Sequence, residues 1–433
     1  MKTLVRAIAF TLAALAACIA QAQLSETEQR IVAAVKERTA ASLQLLERAV
    51  RVNSGTLNVE GVREVGRIFQ AELDALGFAT RWAEMPPQMK RAGHLIAIRE
   101  GTQGNRLLLL GHLDTVFEME RPVSAWEPRG TRVRGQGVSD MKGGDVIVIQ
   151  ALQALQTVGA LDNTTISVIF TGDEERTGTP LERSRADLVE LAKRSDAALS
   201  FEGSAKRGPN HTASIARRSA SSWAVTVKAR QGHSAGVFSN EFGFGAIYEG
   251  ARILNAFREQ LIEPNLTFNA GVALGGTDVT FSTANAAGTA AGKGNVIARD
   301  FVVRGDLRFL TPEQGERVKR RMREIVQASL PGASATITFR DAYPPMPATD
   351  AALRLLETYS KASADAGLGP IDPLDPGERG AGDVQFAAPH VPGIDGLGAS
   401  GSGAHTDDEN LEIASIERGA IRAAILIYRL TRP

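Results

Sequence analysis

Three short apolar runs, each delivering ionisable side chains at its C-terminal end, constrain this chain more than any other feature. Leu107–Leu110 runs into Gly111-His112-Leu113-Asp114, Ile166–Phe170 into Thr171-Gly172-Asp173-Glu174-Glu175, and Ala197–Phe201 into Glu202. Apolar runs of this length bounded by turn-forming residues read as buried strands. Helical patterns lie between them, from about Met141 to Val158 and from about Leu181 to Lys193. Strands alternating with such helices imply an α/β architecture with a largely parallel sheet. In open sheets of that kind ligands bind beyond the carboxyl ends of the strands, so the polar residues are expected to converge there. Three adjacent acids at the end of a buried strand are costly unless something positive sits beside them.

The rest of the chain extends this pattern and interrupts it once. Ser25 and Glu28 match a capping box, and Ile31, Val35, Leu43, Leu46 and Val50 suit a long helix or a broken pair. A second helix is expected over Val59–Leu76, stopping at Gly77. From Ser219 the texture changes: Trp223, Val225 and Val227 alternate with Ala224, Thr226 and Lys228, as in a strand with one wet face. Helices near Phe244–Phe257 and Pro312–Ser329 enclose two or three strands between Leu266 and Phe309. These strand–helix–strand units imply a compact α+β domain at 218–336, inserted between catalytic segments 23–217 and 337–433. The Pro/Gly-rich stretch Gly367–Gly382 is either an ordered loop at the site or a mobile one.

Residues 1–22 open with Lys2 and Arg6, continue through Ala7–Ala17 with only Thr11 interrupting, and end in Ala20-Gln21-Ala22. That is the pattern of an export signal, too short for a membrane span. The expectation is a periplasmic or secreted protein cleaved after Ala22. The alternative is a lipoprotein, because Leu15-Ala16-Ala17-Cys18 has the form of a lipobox that would anchor the chain through Cys18. No membrane span is expected in the mature chain. Its charge is nearly balanced, 49 basic against 49 acidic residues, or 47 against 49 once Lys2 and Arg6 are removed. That leaves no basic stripe for nucleic acid.

A single Cys excludes cysteine-cluster zinc and iron–sulfur sites, so any metal must be held by His and carboxylate. His112 and Asp114, two apart in extended backbone, point the same way, which places Asp114 to accept a bond from the far nitrogen of a metal-bound imidazole. Asp140 sits in Gly135–Gly144 just before a helix, where a helix cap or a phosphate loop is also possible; the P-loop pattern is absent. His405 follows a Gly/Ser loop, Gly401–Ala404. Imidazoles and carboxylates of this kind suit Zn²⁺, Mn²⁺ or Co²⁺. One bridging carboxylate, plus one His and one carboxylate per ion, would build a two-metal site with ions about 3.5–4 Å apart.

In order and spacing, GHLDTV (111–116), GQGVSDMKGG (135–144), TGDEE (171–175), SFEG (200–203), GHSAG (232–236) and GAHTDDENLE (403–412) resemble the M20 metallopeptidases. That family includes glutamate carboxypeptidases, aminoacylases, acetylornithine deacetylases and succinyl-diaminopimelate desuccinylases. The resemblance implies a zinc-peptidase-like catalytic domain with a ferredoxin-like lid that also serves dimerisation, hence a homodimer. It implies two divalent ions, Zn²⁺ in the first instance. His112 and Glu202 would bind one, Glu175 and His405 the other, and Asp140 would bridge them. Glu174 would be the general base and Asp114 would orient His112. His233 would stabilise the oxyanion, often in the neighbouring subunit's site, while Asn295 and Arg308 would hold the substrate carboxylate. A cis peptide is implied at Asp140–Met141. The expected activity is hydrolysis of an amide next to a free C-terminal carboxylate, as in glutamate carboxypeptidases. The alternative is an aminoacylase or dipeptidase acting on N-acyl amino acids or dipeptides. A non-catalytic peptide-binding protein on the same scaffold is the remote alternative, opposed by retention of all five ligands and Glu174.

Where glutamate carboxypeptidases carry Gly-Gly-Thr-Asp, this chain has Gly380-Ala381-Gly382-Asp383, and a basic substrate contact at Lys206 or Arg207 is only suggested. That loosens the glutamate preference. Of the other histidines, His94 is expected to be structural, His211 is unassigned, and His390, between Pro389 and Pro392, is expected to pack within its loop. Asp407, Asp408 and Glu409 are expected to form a solvated rim. Trp223 is expected to pack the lid sheet, and Trp223–Val227 to form an edge that extends across two subunits.

Overall fold

Ser25 caps the first helix as its sequence requires: its Oγ accepts from Glu28 N (3.3 Å), while Glu28 Oε2 accepts from Ser25 N (2.7 Å). The result is one unbroken helix, Glu26–Val50. The structure, a computed structural model, describes residues 24–120, 126–283 and 286–432. The export signal and Cys18 lie outside these residues. Among the described residues no helix is long and apolar enough to cross a membrane.

Gly143–Thr157 is apolar on nearly every side, with Val146, Ile147, Val148 and Ile149 all fully buried. A helix of that kind belongs inside. It packs between Glu26–Val50 and the C-terminal helix Ala414–Leu430 on one face of the main sheet. Its start presses against a strand end, where a Cβ on Gly144 would lie 2.0 Å from the Phe201 carbonyl oxygen. The expected Leu181–Lys193 helix is broken at Arg185 into Leu181–Ser184 and Ala186–Lys193.

The main sheet has six strands in the order Ala79–Ala83, His94–Arg99, Thr164–Thr171, Gln103–His112, Ala197–Ser200, Gly393–Asp395. The first two pairings are antiparallel and the remaining three parallel. The registers set His112 against Thr171 and Leu110 against Ser200. The residues immediately after those strands therefore emerge at one edge.

A second, four-stranded antiparallel sheet has the order Ala270–Gly276, Asp300–Leu307, Ala220–Ala229, Ala333–Tyr343. With helices Ala246–Gln260 and Pro312–Gln327 it forms the ferredoxin-like arrangement. It has its own core of Trp223, Val225, Val227, Ile253, Phe257, Val303 and Met322. Trp223 meets Phe257 edge to face at 5.6 Å, so it packs the lid. Two expectations are corrected. Ala220–Ala229 is an inner strand, flanked on both sides, and cannot extend the sheet to another subunit. Its alternation reflects one face on the helices, which edge and inner strands of a two-layer domain share. The boundary at 336 falls inside a strand, because the alternation through Ile337 and Phe339 carries the pairing on to Tyr343. Gly367–Gly382 contains the short strand Ile371–Pro373, paired with Asn210–Ala213.

Candidate active site

His112 closes its strand with its side chain buried, and the loops after the neighbouring strands bring Glu174, Glu175 and Glu202 to the same edge. Asp140 lies in the turn Val138–Lys142 that opens the buried helix, and the Asp140–Met141 bond is cis, as the resemblance implies. His405 arrives from the C-terminal loop. His112 Nε2 lies 3.3 Å from Asp140 Oδ1 and 3.5 Å from Glu202 Oε1. His405 Nε2 lies 3.1 Å from Asp140 Oδ2 and 3.3 Å from Glu175 Oε2. The five ligand residues expected from sequence thus form two triads, His112–Asp140–Glu202 and Asp140–Glu175–His405, that share Asp140 through its two oxygens.

The residues fit a pair of cations. His112 Nε2 is buried and has no hydrogen-bond partner, an orphan that a metal would satisfy. The electrostatics agree. Hydrogen bonds that the imidazole donates to Asp140 and Glu175 push His405 up to about 11. Burial opposes charge on His112, but the Asp114, Asp140 and Glu202 carboxylates override it and raise it well above its ordinary value. Burial lifts Glu175 to about 7, with the Asp140 charge adding to the effect. Burial also lifts Glu174 far above the usual carboxylate range, with Glu202, Asp383 and Glu175 adding to it and His112 opposing. These shifts describe a cluster short of positive charge.

Asp114 acts differently from the expectation. His112 Nδ1 is 3.0 Å from the Asp114 carbonyl oxygen, and the carboxylate is farther, at 3.5 Å. The buried carboxylate instead accepts from Thr56 Oγ1 (2.6 Å), Glu174 N (3.0 Å) and Glu175 N (3.2 Å). One residue thus orients the imidazole through its backbone and Glu174 and Glu175 through its side chain. The acids at the strand end also divide. Asp173 turns away from the site to the buried Arg185 (2.5 Å), which also holds Asp383 at 2.8 Å. Asp383 accepts in turn from Thr171 Oγ1 at 2.6 Å.

Glu409 is a residue beside the site that sequence reasoning missed. It is 2% exposed, not part of a solvated rim. Its oxygens accept from Gly137 N (2.9 Å), Ser139 N (2.8 Å), Ser139 Oγ (3.0 Å) and Asp140 N (2.9 Å). It therefore fixes the turn carrying the shared ligand. In a run of three acids only Asp407 and Asp408 are exposed. The one available signal was the glycine-rich 135–144 turn, whose free N–H groups need an acceptor. Tyr343, at the end of the lid sheet, was also missed; its hydroxyl donates to the Glu174 carbonyl at 2.9 Å.

The lid residues belong to neither triad. His233 and Asn295 are exposed neighbours, linked by Ser234 N to the Asn295 carbonyl at 2.9 Å. Arg308 is paired with Asp306 at 3.0 Å. Lys206 faces Glu412 at 3.7 Å, and Arg207 pairs with Glu378. His94 is structural, with Nε2 2.7 Å from the Ser184 carbonyl and Nδ1 accepting from Gly172 N. His211 is buried beside Ser204 Oγ at 3.3 Å. His390 is exposed and does not pack, because the turn after Val384–Ala387 directs it outward.

Comparison with known proteins agrees with this geometry. The pattern of "Peptidase family M20/M25/M40" matches residues 108–429. Carboxypeptidase G2 from Pseudomonas sp. (strain RS-16) is 26% identical over 411 residues, 92% of this chain and 91% of that protein. Succinyl-diaminopimelate desuccinylase from Rhodospirillum centenum (strain ATCC 51521 / SW) is 25% identical over 372 residues, 82% of this chain and 90% of that one. Aminopeptidase PepT from Bacillus cereus ATCC 10987 has the same fold, with a TM-score of 0.71 at 16% identity over 91% of this chain and 99% of that chain.

Proposed function

The chain belongs to the peptidase family M20/M25/M40 and is a hydrolase, and from that premise we propose that it is an exported two-metal enzyme cleaving an amide bond beside a free C-terminal carboxylate. The observation that carries the reading is the pair of triads sharing Asp140 around the orphaned His112 Nε2. The ions, Zn²⁺ in the first instance, would be held by these five residues and would supply carbonyl polarisation and a water acidified to a pKa of about 7. Glu174 accepts the proton of the attacking water at its carboxylate and delivers it to the departing amine nitrogen. Asp114 keeps Glu174 in place through its backbone N–H. Arg308 and Asn295 hold the substrate carboxylate, for which the planar guanidinium offers two parallel bonds. His233, exposed and outside both triads, donates to the developing oxyanion in the site of a second copy, which makes the enzyme a homodimer through its lid.

Resemblance to carboxypeptidase G2 supports a C-terminal amino acid as leaving group, and resemblance to a desuccinylase supports the second reading, hydrolysis of N-acyl amino acids. A panel of dipeptides and N-acyl amino acids varied at the C-terminal residue, assayed with added Zn²⁺, separates the two. Glu174→Gln should retain metal and lose about 10²–10⁴-fold in kcat. Wild-type-like turnover in that variant would remove Glu174 as the base. Metal content near zero after zinc reconstitution would refute the two-metal reading. Export through residues 1–22 is tested by the N-terminal mass of the mature protein: a start at Gln23 supports cleavage after Ala22, an acylated Cys18 the lipoprotein.

A further inference from the structure

Glu174, the proposed base, is held by its backbone and not by its side chain. Its N–H donates to Asp114 Oδ1 at 3.0 Å, and its carbonyl accepts from the Tyr343 hydroxyl at 2.9 Å. Among the described residues none donates a hydrogen bond to its carboxylate. The direction of that carboxylate is therefore set by the backbone that carries it, and the backbone is gripped on both sides of the Glu174 Cα. One grip comes from Asp114, just beyond the main-sheet strand Gln103–His112. The other comes from Tyr343, the last residue of the lid strand Ala333–Tyr343.

The tyrosine is itself firmly placed. The chain enters the lid after Arg217 and returns before Met346, and these two residues exchange N–H···O bonds of 2.8 and 2.9 Å. Gln385, fully buried in the catalytic domain, donates to the Arg218 carbonyl at 3.1 Å and to the Pro344 carbonyl, which ties both crossings down. The Tyr343 ring lies 5.0 Å from that of Phe386, and its oxygen accepts from Arg185 Nη2 at 3.4 Å. Burial, with the Glu174 charge adding to it, holds the phenol well above its ordinary range, so the oxygen keeps the proton it donates. That proton goes to the Glu174 carbonyl.

Resting on the assignment of Glu174 as base, we propose that Tyr343 is a positioning residue for the hydrolysis: its hydroxyl fixes the Glu174 carbonyl and, with Asp114 on the other side, aims the base at the water it deprotonates. The base is then held jointly by the two domains, and turnover depends on a lid residue that belongs to neither triad. Release of one grip lets the carboxylate turn, and displacing a reacting group by about 1 Å can cost on the order of 10²-fold in rate.

Tyr343→Phe removes the hydroxyl and keeps the ring against Phe386. Assayed as zinc-loaded enzyme on the best amide of the dipeptide and N-acyl amino acid panel, it should lose about tenfold or more in kcat. KM and zinc content should stay within about twofold of wild type, and the denaturation midpoint should be unchanged. Placing the substitution in the Glu174→Gln background separates aiming from support. A residue that acts only through the base has nothing left to aim there, so kcat of the double variant should stay within about twofold of Glu174→Gln alone. A repeated tenfold loss in that background would overturn the proposal, as would wild-type kcat in Tyr343→Phe. Zinc content or the denaturation midpoint falling in step with kcat would also overturn it, assigning Tyr343 to support of the fold. Wild-type-like turnover in Glu174→Gln, or failure of wild type to cleave any amide, would instead strike the proposed function, a failure distinct from these.

Discussion

Replacing Glu409 with Gln changes one atom and tests whether a residue that touches no substrate controls the shared ligand. The carboxylate accepts four hydrogen bonds at 2.8–3.0 Å, three of them from backbone N–H groups of Gly137, Ser139 and Asp140. An amide has only one acceptor oxygen. If that oxygen keeps the Oε1 position, the new NH₂ faces the Gly137 N–H, donor to donor, in a buried space. One charged hydrogen bond is worth about 1.5–3 kcal/mol, and a stranded buried donor costs about 1–3 kcal/mol. The sum, roughly 2.5–6 kcal/mol, must appear as lost stability, as displacement of Asp140, or as both. Partners that orient metal ligands typically contribute about 10–100-fold in metal affinity or activity. Glu409→Gln should therefore retain the fold by circular dichroism, release metal to a competing chelator at tenfold or lower concentration, and lose kcat. Asp407→Asn, at an exposed neighbour, should change neither. Chelator competition curves and kcat within twofold of wild type for Glu409→Gln, with unchanged stability, would refute the argument.

Arg185→Met leaves Asp173 and Asp383 buried without their shared cation and should cost about 3–5 kcal/mol; an unchanged denaturation midpoint would contradict this. His211 is held neutral, its pKa brought down to about 4 by burial and by Arg422, Lys206 and Arg418. The unfolded chain, with a His pKa of about 6.5, takes up a proton that the folded chain refuses, so stability falls as pH drops through that window, by at most about 3 kcal/mol. His211→Asn should flatten the decline in urea unfolding between pH 7 and pH 5, and identical slopes would count against it. If His233 serves a second copy, equimolar mixing of His233→Ala with Glu174→Gln under subunit exchange should restore about a quarter of wild-type activity, whereas no recovery would place His233 outside the partner's site.

The α/β class and the gathering of polar residues at strand ends were legible because they depend on local events: where an apolar run stops, and which side chains follow. A parallel sheet brings such positions together without further information, so His112, Glu175 and Glu202 could be read from strand ends. Asp140 and His405 lie on loops whose course depends on distant segments, and only the motif order implied them. Glu409 was misread because it looks no different from Asp407 and Asp408 until the chain folds.

By itself, then, the sequence determined the architecture and placed imidazoles and carboxylates at the strand ends, since strand and helix periodicity and residue type are local properties. The tertiary structure decided which acids gather around His112 and His405 and which are held elsewhere. Asp173 turns to Arg185 while Glu175 faces His405, and Asp114 grips the backbone of Glu174. It also showed Ala220–Ala229 as an inner strand. These outcomes depend on which partner reaches a buried charge first, a property of packing between residues far apart in the chain.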